Sequence, residues 1–394
     1  MTEPSNRIIP YGRQDVQDSD IDAVVKVLKS DFLTQGPQTP LFEQEIQEIC
    51  NVNHAVAVNS ATSALHIACL ALELGPGDRL WTSPISFVAS SNCGIYCGAS
   101  VDFVDVCARS ANMCPDRLAQ KLADADKAGE LPKVLVVVHL AGVSADMEPI
   151  AKLCAQYGVR IIEDASHAIG ARHRDDRVGA CAHSDVTVFS FHPVKIITTG
   201  EGGIATTNDD SIALAMRRLA SHGITKTPAE FDFDSDGGWY YEQQSLGFNY
   251  RITDIQSALG RSQLKRLDPI ITRRNEIADI YDAAFAGTGI TGQWRDPADT
   301  ASLHLYVVRT EDDGVPDRRN RLYNALREGG VAANLHYIPI YRQPYYREMG
   351  FEFADFPNAE SYYRTAVSIP MYPTLPAEDQ QHVIDIVLGS CDPA

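Results

Sequence analysis

Apolar positions along the chain follow two different patterns. From Ser19 to Leu28, the residues Ile21, Val24, Val25 and Leu28 recur at the spacing of one helix face, with Asp18 or Ser19 placed to cap the N-terminus. A second helix is predicted to start near Thr39-Pro40, where proline suits the first helical position, and to run through Phe42, Ile46 and Ile49. Short apolar runs follow: HAVAV (54–58), RLWT (79–82), VDFV (101–104), KVLVVV (133–138), VRIIE (159–163), VTVFSF (186–191) and GIATT (203–207). Each gives way to polar residues or glycine and then to a helical pattern. That alternation predicts an α/β domain whose mostly parallel sheet is covered on both faces. Ligands bind such sheets beyond the carboxyl ends of the strands, so the residues just after each run are the first candidates for chemistry.

The rhythm breaks at TPAEFDFDSDGGWYYEQQ (227–244), whose acidic, glycine and aromatic residues predict an exposed excursion. A helix near Thr253–Leu267 then leads into a region of different texture. There LHLYVVR (303–309), RRNRLYNALREGG (318–330) and VAANLH (331–336) predict strand, helix and strand, and an amphipathic helix follows near Glu378–Leu388. The expected organisation is a large domain at 1–254 and a smaller α+β domain at 255–394, with the segment of about 1–35 free to pack against the smaller one.

Charge and composition narrow the function. The 394 residues carry 34 basic and 52 acidic side chains, a formal charge of -18, and the hydrophobic fraction of 44% is that of an ordinary globular protein. Such a surface repels polyanions, which argues against nucleic acid as a partner while leaving room for a local pocket that takes a small anion. The longest apolar stretch, VLVVVHLAGV (134–143), is too short to cross a bilayer and contains His139, so no membrane partner is expected. MTEPSNRIIPYG has no basic end followed by an apolar core, so no secretory leader is expected there. The cysteines are nine, an odd number without a Cys-x-x-Cys pair, which points to reduced thiols in a cytoplasmic protein. Cys93 and Cys97 lack a matching His/Cys pair, and no His-Glu-x-x-His occurs, so no metal is assigned.

Chemistry concentrates at three strand ends. In VTVFSFHPVKIITTGEGG (186–203) an apolar strand delivers Ser190, His192 and Lys195 to its carboxyl end. An isolated lysine after a strand is ordinarily a surface charge, but one hemmed by FHPV and IITT is partly desolvated. Its amine pKa falls, making it a candidate imine-forming nucleophile and proton shuttle. VRIIEDASHAIGA (159–171) ends a buried-type strand in Glu163 and Asp164, with His167 three residues on; a carboxylate there could hold a cationic ring nitrogen or simply cap a helix. HAVAVNSATSALHIACLAL (54–72) turns from strand directly into helix, so the free amides of Ala61, Thr62 and Ser63, with the Thr62 hydroxyl, form an anion cradle. Phe87 in SPISFVAS (83–90) offers a flat face for stacking. None of these is decisive alone. As a set they describe a site for pyridoxal 5'-phosphate, in which the cofactor brings the hard chemistry and the protein tunes it.

These motifs resemble the DegT/DnrJ/EryC1/StrS family of sugar aminotransferases, pyridoxal phosphate enzymes of the aspartate aminotransferase-like fold type I. The likeness runs from YGRQDV near residue 11 through LTQGP, NSATSAL, SPISFVAS, EDASHAIG, SFHPVKIITTGEGG and GFNYRITDIQSALG to LHYIPIY. The resemblance implies that Lys195 bonds to the cofactor, Asp164 partners its pyridine nitrogen, His167 contacts the ring hydroxyl and Phe87 stacks on the ring. Ala61, Thr62 and Ser190 match phosphate-binding positions. Asn249 matches an asparagine that reaches the phosphate from a neighbouring subunit, which implies a homodimer with shared active sites. Within the family the motifs are most similar to the branch of pseudaminic acid biosynthesis. There Tyr11, Asp31, Phe32, Leu33, Thr34, His336 and Tyr341 would touch the nucleotide-sugar. The expected reaction moves the amino group of L-glutamate to C4 of a nucleotide-linked 4-keto-6-deoxy sugar, UDP-2-acetamido-2,6-dideoxy-beta-L-arabino-hex-4-ulose in that branch, or of another GDP-, UDP- or dTDP-4-ketosugar.

Two departures from the family stand out: Ala61-Thr62 where many relatives have Gly-Thr, and the acidic segment 227–244, which could reshape the sugar pocket. Lys195 argues against a sugar dehydratase, whose members carry histidine there. The intact Lys195, Asp164 and Thr62 argue against a non-enzymatic binding protein. The lack of G-x-G-x-x-G after the first strands argues against a dinucleotide-dependent oxidoreductase. His66, His183, His222 and His304 read as structural histidines.

Overall fold

All seven apolar runs become strands of one sheet in the computed structural model of the chain, which describes residues 8–314 and 317–390. Residues 1–7, on which the expectation of no leader rests, and Cys391 lie outside the described residues. In chain order the strands are β1 (His54–Val58), β2 (Arg79–Thr82), β3 (Ser100–Phe103), β4 (Val134–Val138), β5 (Arg160–Asp164), β6 (Val186–Ser190) and β7 (Gly203–Thr207). They lie side by side as β1-β7-β6-β5-β4-β2-β3. Only β7 is antiparallel, to β1 and β6 alike. A parallel neighbour requires a crossover, whereas an antiparallel one can be reached by a loop. The chain therefore passes from β6 to β7 through residues 191–202 alone, and that loop carries Lys195.

Both sheet faces are buried. Val56, Val58, Val134, Val136, Ile162 and Val188 point into one core, and Ala55, Ala57, Leu135, Val137, Ile161 and Phe189 into the cores on the other side. This explains the continuous apolar runs, since a strand covered on both faces has no polar positions to alternate with. Burying each large apolar side chain contributes about 1.5–3 kcal/mol.

Five helices matter for the site: α1 (Asp18–Leu28), α2 (Gln38–Cys50), α3 (Ala61–Ala71), α4 (Asp254–Leu264) and α5 (Leu267–Phe285). The first begins slightly earlier than its pattern predicts, with Gln17 at the cap and its N–H taken by Asp20 Oδ2 at 2.9 Å. Asp20 also accepts from Gln263 Nε2 and Arg266 Nη2, each at 2.7 Å, which fastens α1 to the end of α4.

Helix α5 contributes to two hydrophobic cores. Leu267, Ile270 and Ile271 belong to the same core as Phe189 and Phe191, while Ile277, Ala278, Tyr281 and Phe285 belong to the core of the smaller domain. A helix shared by two cores shows no break in its sequence. The smaller domain pairs Tyr306–Arg309 antiparallel with Ala366–Ile369, and Ile9–Pro10 runs parallel to Val331–Ala332. Arg274 of α5 is buried, and its Nη1 donates to the carbonyls of Leu303, His304 and Met371 at 3.1, 3.3 and 2.9 Å. Each such buried acceptor left without a donor would cost about 1–3 kcal/mol, so Arg274 anchors the segment that brings His304 inward.

The 227–244 excursion is exposed, with Phe233 at 76% and Trp239 at 78% accessibility. Glu242 organises it by accepting hydrogen bonds from the amides of Asp232 and Phe233 and from Tyr240 and Gln244. Among the described residues no helix is long and apolar enough to cross a membrane.

Candidate active site

The carboxyl ends of β1, β5 and β6 open on a cavity of about 840 Å³. Its walls include Tyr11, Ala61, Thr62, Phe87, Asp164, His167, Ser190, Lys195 and His336, so the strand-end segments, Phe87 and the two ring residues Tyr11 and His336 all meet there. The antiparallel β7 starts at this same end, with Gly203 opposite both Val58 and Ser190.

One wall is the N-terminus of α3. Ser60 caps the helix by accepting the Ser63 amide at 3.1 Å, which leaves the amides of Ala61 and Thr62 at the first two helical positions without a partner in the helix. The helix dipole adds partial positive charge, so this wall favours an anion. Gly203 lets β7 pack closely against the start of this helix: a Cβ there would lie 2.4 Å from the Ala61 nitrogen and 2.5 Å from the Ser60 carbonyl carbon.

Facing that cradle, Asp164 ends β5 almost fully buried. Its Oδ2 accepts from Ser90 Oγ at 2.6 Å, and its Oδ1 from the amide and hydroxyl of Ser166 at 3.2 and 2.6 Å. Three donors fix the carboxylate in one orientation. Lys195 lines the same cavity. Burial pushes its amine down to about 8 against the opposing pull of the Asp164 charge.

Three histidines surround the lysine. His167 Nδ1 accepts the Ala141 amide at 3.2 Å, which places the ring proton on Nε2, and Nε2 in turn meets the Tyr337 hydroxyl at 3.1 Å. His336 Nδ1 lies 2.8 Å from Ser368 Oγ. His304 packs on His167 with ring centroids 4.5 Å apart, and its buried Nδ1 has no hydrogen-bond partner. Burial and the nearby Lys195 charge lower all three, His336 to about 3, so the imidazoles are neutral.

Some expected site residues lie elsewhere. Tyr341 is fully buried in the core behind the cavity; its hydroxyl donates to Glu360 at 2.8 Å and its ring stacks on Phe356, so it has no access to a sugar in this cavity. Asp31, Phe32, Leu33 and Thr34 stand on an exposed loop, where the Leu33 carbonyl accepts the Asp254 amide, and none lines the cavity of its own chain. Asn249 is likewise exposed and outside this cavity. No residue of the 227–244 excursion reaches it either. Conversely, the sequence reading passed over Ser90 and Ser166, which orient Asp164, and Tyr337, which partners His167. It also took His304 as purely structural. Ser90 and Tyr337 do sit inside the motifs SPISFVAS and LHYIPIY.

The chain matches the DegT/DnrJ/EryC1/StrS aminotransferase family over residues 14–388. Over 98% of both chains it is 36% identical to the spore coat polysaccharide biosynthesis protein SpsC of Bacillus subtilis. Over 97% of both it is 34% identical to a UDP-4-amino-4,6-dideoxy-N-acetyl-beta-L-altrosamine transaminase of Campylobacter jejuni. Among solved structures, Spr1654 of Streptococcus pneumoniae in its PMP form superposes with a TM-score of 0.89 at 28% identity, covering 97% of this chain and 99% of the other. Helicobacter pylori PseC, an aminotransferase of pseudaminic acid biosynthesis, superposes with a TM-score of 0.88 at 33% identity, covering 98% and 99%.

Pyridoxal 5'-phosphate is the cofactor of these enzymes, and the residues here fit it. The α3 amides suit its phosphate, Asp164 suits its pyridine nitrogen, Lys195 its aldehyde, and the exposed face of Phe87 its ring. With the match spanning nearly the whole sequence and the fold type I architecture shared, the chain belongs to the DegT/DnrJ/EryC1/StrS family of pyridoxal phosphate-dependent sugar aminotransferases.

Proposed function

We propose that this enzyme moves the amino group of L-glutamate to C4 of a nucleotide-linked 4-keto-6-deoxy sugar, with the UDP-linked ketosugar of pseudaminic acid biosynthesis as acceptor. The observation that carries the chemistry is one cavity holding a lysine of lowered pKa, an oriented carboxylate and an open helix N-terminus. The transaminase of C. jejuni and PseC of H. pylori, matched over nearly their full length, support the acceptor.

When bound, the cofactor supplies an aldehyde and an electron sink. Ala61 and Thr62 would hold its phosphate through their amides, and Asp164 would accept a hydrogen bond from its protonated ring nitrogen. With a pKa of about 8, roughly a tenth of the Lys195 amine is neutral at pH 7, against fewer than about one in a thousand at the ordinary value. Lys195 would therefore be the residue that bonds to the aldehyde and, as a free amine, the one that moves a proton at the reacting carbon. The neutral histidines keep positive charge away from this amine. Tyr11 and His336, with ring centroids 5.1 Å apart, form the wall where the sugar would lie.

Asn249 and the 31–34 loop are exposed on one chain, which suits a homodimer in which each supplies these residues to the other's site. Mixing Lys195→Ala and Asn249→Ala subunits should then restore activity that neither variant has alone.

A second reading takes a different nucleotide 4-ketosugar as acceptor, since SpsC, at slightly higher identity, is named for spore coat polysaccharide biosynthesis and not for pseudaminic acid. A panel of UDP-, GDP- and dTDP-4-ketosugars with L-glutamate, read by product mass and NMR, decides between them. Turnover of only GDP or dTDP sugars overturns the pseudaminic reading, and a deoxygenated product without nitrogen overturns amino transfer.

A further inference from the structure

We propose that Cys97 and Cys69 are a peroxide-sensitive thiol pair that closes a reversible disulfide between α3 and the helix Ala89–Tyr96. Cys93 and Cys97 have no partner near them along the chain, and the fold supplies one. Cys69, toward the end of α3, packs in the same core as both. Its thiol shares hydrogen bonds with Cys93 and with Cys97, which lie four residues apart and so on one face of their helix. Cys97 is also hydrogen-bonded to His66, one turn before Cys69 on α3. That imidazole is itself held in place. Its Nδ1 lies 3.2 Å from the Tyr250 hydroxyl, and its ring packs on Tyr96 and Phe248 with centroids 5.5 and 4.9 Å apart, which leaves Nε2 for Cys97.

The three thiols are not equivalent. Cys93 donates to the Ser90 carbonyl at 3.4 Å and is closed to solvent, as is Cys69. Of the three, Cys97 alone reaches the surface, with 8% accessibility at the C-terminal cap of its helix. The hydrogen bond from Cys69, and after it the bond to His66 and the His66 charge, pull the Cys97 thiol below its ordinary value against the effect of burial. The bonds to Cys93 and Cys97, with burial, push Cys69 the other way. Cys97 therefore carries the nucleophilic thiolate and Cys69 keeps its proton. So narrow an opening suits hydrogen peroxide as the oxidant.

In the first step the Cys97 thiolate attacks one peroxide oxygen and the O–O bond breaks. The departing hydroxide takes up the proton that Cys97 gave up on ionising and leaves as water, and Cys97 becomes a sulfenic acid. Cys69 Sγ then attacks that sulfur, the S–O bond breaks, and the second hydroxide leaves as water with the Cys69 proton. Two thiols are oxidised to one disulfide while one peroxide is reduced to two waters, and a thiol reductant reverses the bond by exchange. The bond joins the helix whose N-terminus forms the anion cradle to the helix whose Ser90 holds Asp164.

The experiment treats the holoenzyme with one equivalent of hydrogen peroxide, unfolds it, alkylates the remaining thiols and locates every link by fragmentation mass spectrometry, with and without prior reduction. A single cross-link between Cys69 and Cys97 is expected, two hydrogens lighter than the separate thiols and lost on reduction, while the more exposed Cys107 and Cys114 are recovered alkylated. In Cys69→Ser the resolving thiol is gone, so dimedone should label Cys97 as its sulfenic acid. Peroxide consumed with Cys69 and Cys97 both recovered alkylated overturns the inference, as does a cross-link through Cys93, Cys107 or Cys114 in place of this one. Should Cys69→Ser fail to fold, the wild-type map decides by the same outcomes.

Discussion

Replacing Asp164 with Asn removes one charge and little volume from a site whose geometry is otherwise held. Asp164 accepts from Ser90 Oγ, Ser166 Oγ and the Ser166 amide, and an asparagine can keep the last of these while the two hydroxyls rotate to suit it. What disappears is the anion opposite the protonated ring nitrogen. Truncating one partner of a buried, hydrogen-bonded charge pair costs about 3–5 kcal/mol, much of it the penalty of leaving the other charge unpaired. Here the unpaired ring nitrogen would lose its proton and the electron sink would weaken. If that cost falls on the proton-transfer step, the half-reaction with L-glutamate slows by roughly 150- to 5,000-fold. Stopped-flow absorbance under single-turnover conditions isolates that step, and cofactor stoichiometry verifies that the site remains loaded. Asp164→Asn should also lower the Lys195 pKa further, because the Asp164 charge is what holds it up. A half-reaction within about tenfold of the wild type, in a fully loaded variant, would refute the assignment of Asp164 to the ring nitrogen.

Gly203→Ala should weaken cofactor binding, because the new Cβ would press on the Ser60–Ala61 backbone; an overpacking cost of about 1–3 kcal/mol corresponds to roughly 5- to 150-fold in the pyridoxal phosphate dissociation constant, and unchanged affinity would contradict the cradle. Recombination of cofactor-free protein with pyridoxal phosphate needs the neutral Lys195 amine, so its rate should climb with pH and level off above about 8; a profile still rising past pH 10 would mean an unperturbed lysine. His167, His304 and His336 are neutral in the folded protein with lowered pKa values, so the unfolded chain binds more protons once pH falls below 6.5. For His336 the contribution to stability is lost progressively from there down to about 3, at up to about 1.4 kcal/mol per pH unit. Urea unfolding of His336→Asn should therefore show a shallower loss of stability on acidification than the wild type, and an identical slope would contradict a buried neutral His336.

The large domain was readable because its strands are buried on both faces: runs such as VLVVV admit no competing helical pattern of comparable length, and the residue after each run falls at the ligand-binding end of the sheet. Lys195, Asp164 and the α3 amides follow from that rule together with local chemistry. That α5 contributes to two cores was not readable, because its apolar spacing runs on without interruption. Tyr341 and Tyr337 show a different limit. Both belong to LHYIPIY, yet the turns through Pro339 send Tyr341 into the core toward Glu360 and Tyr337 into the cavity toward His167. Which tyrosine meets the site depends on backbone direction across four residues, which residue type does not reveal. His304 was missed for a related reason: its inward position is set by Arg274, thirty residues upstream, holding the backbone carbonyls of Leu303 and His304. Ser90 and Ser166 act only through Asp164, and serine carries no signal of its own.

The whole account turns on which amine bonds to the cofactor. Borohydride reduction of the holoenzyme followed by peptide mass mapping reads that directly. The account predicts a single pyridoxyl label on the peptide containing Lys195, absent from Lys195→Ala; a label on another lysine, or none on a protein that retains its cofactor, would contradict it.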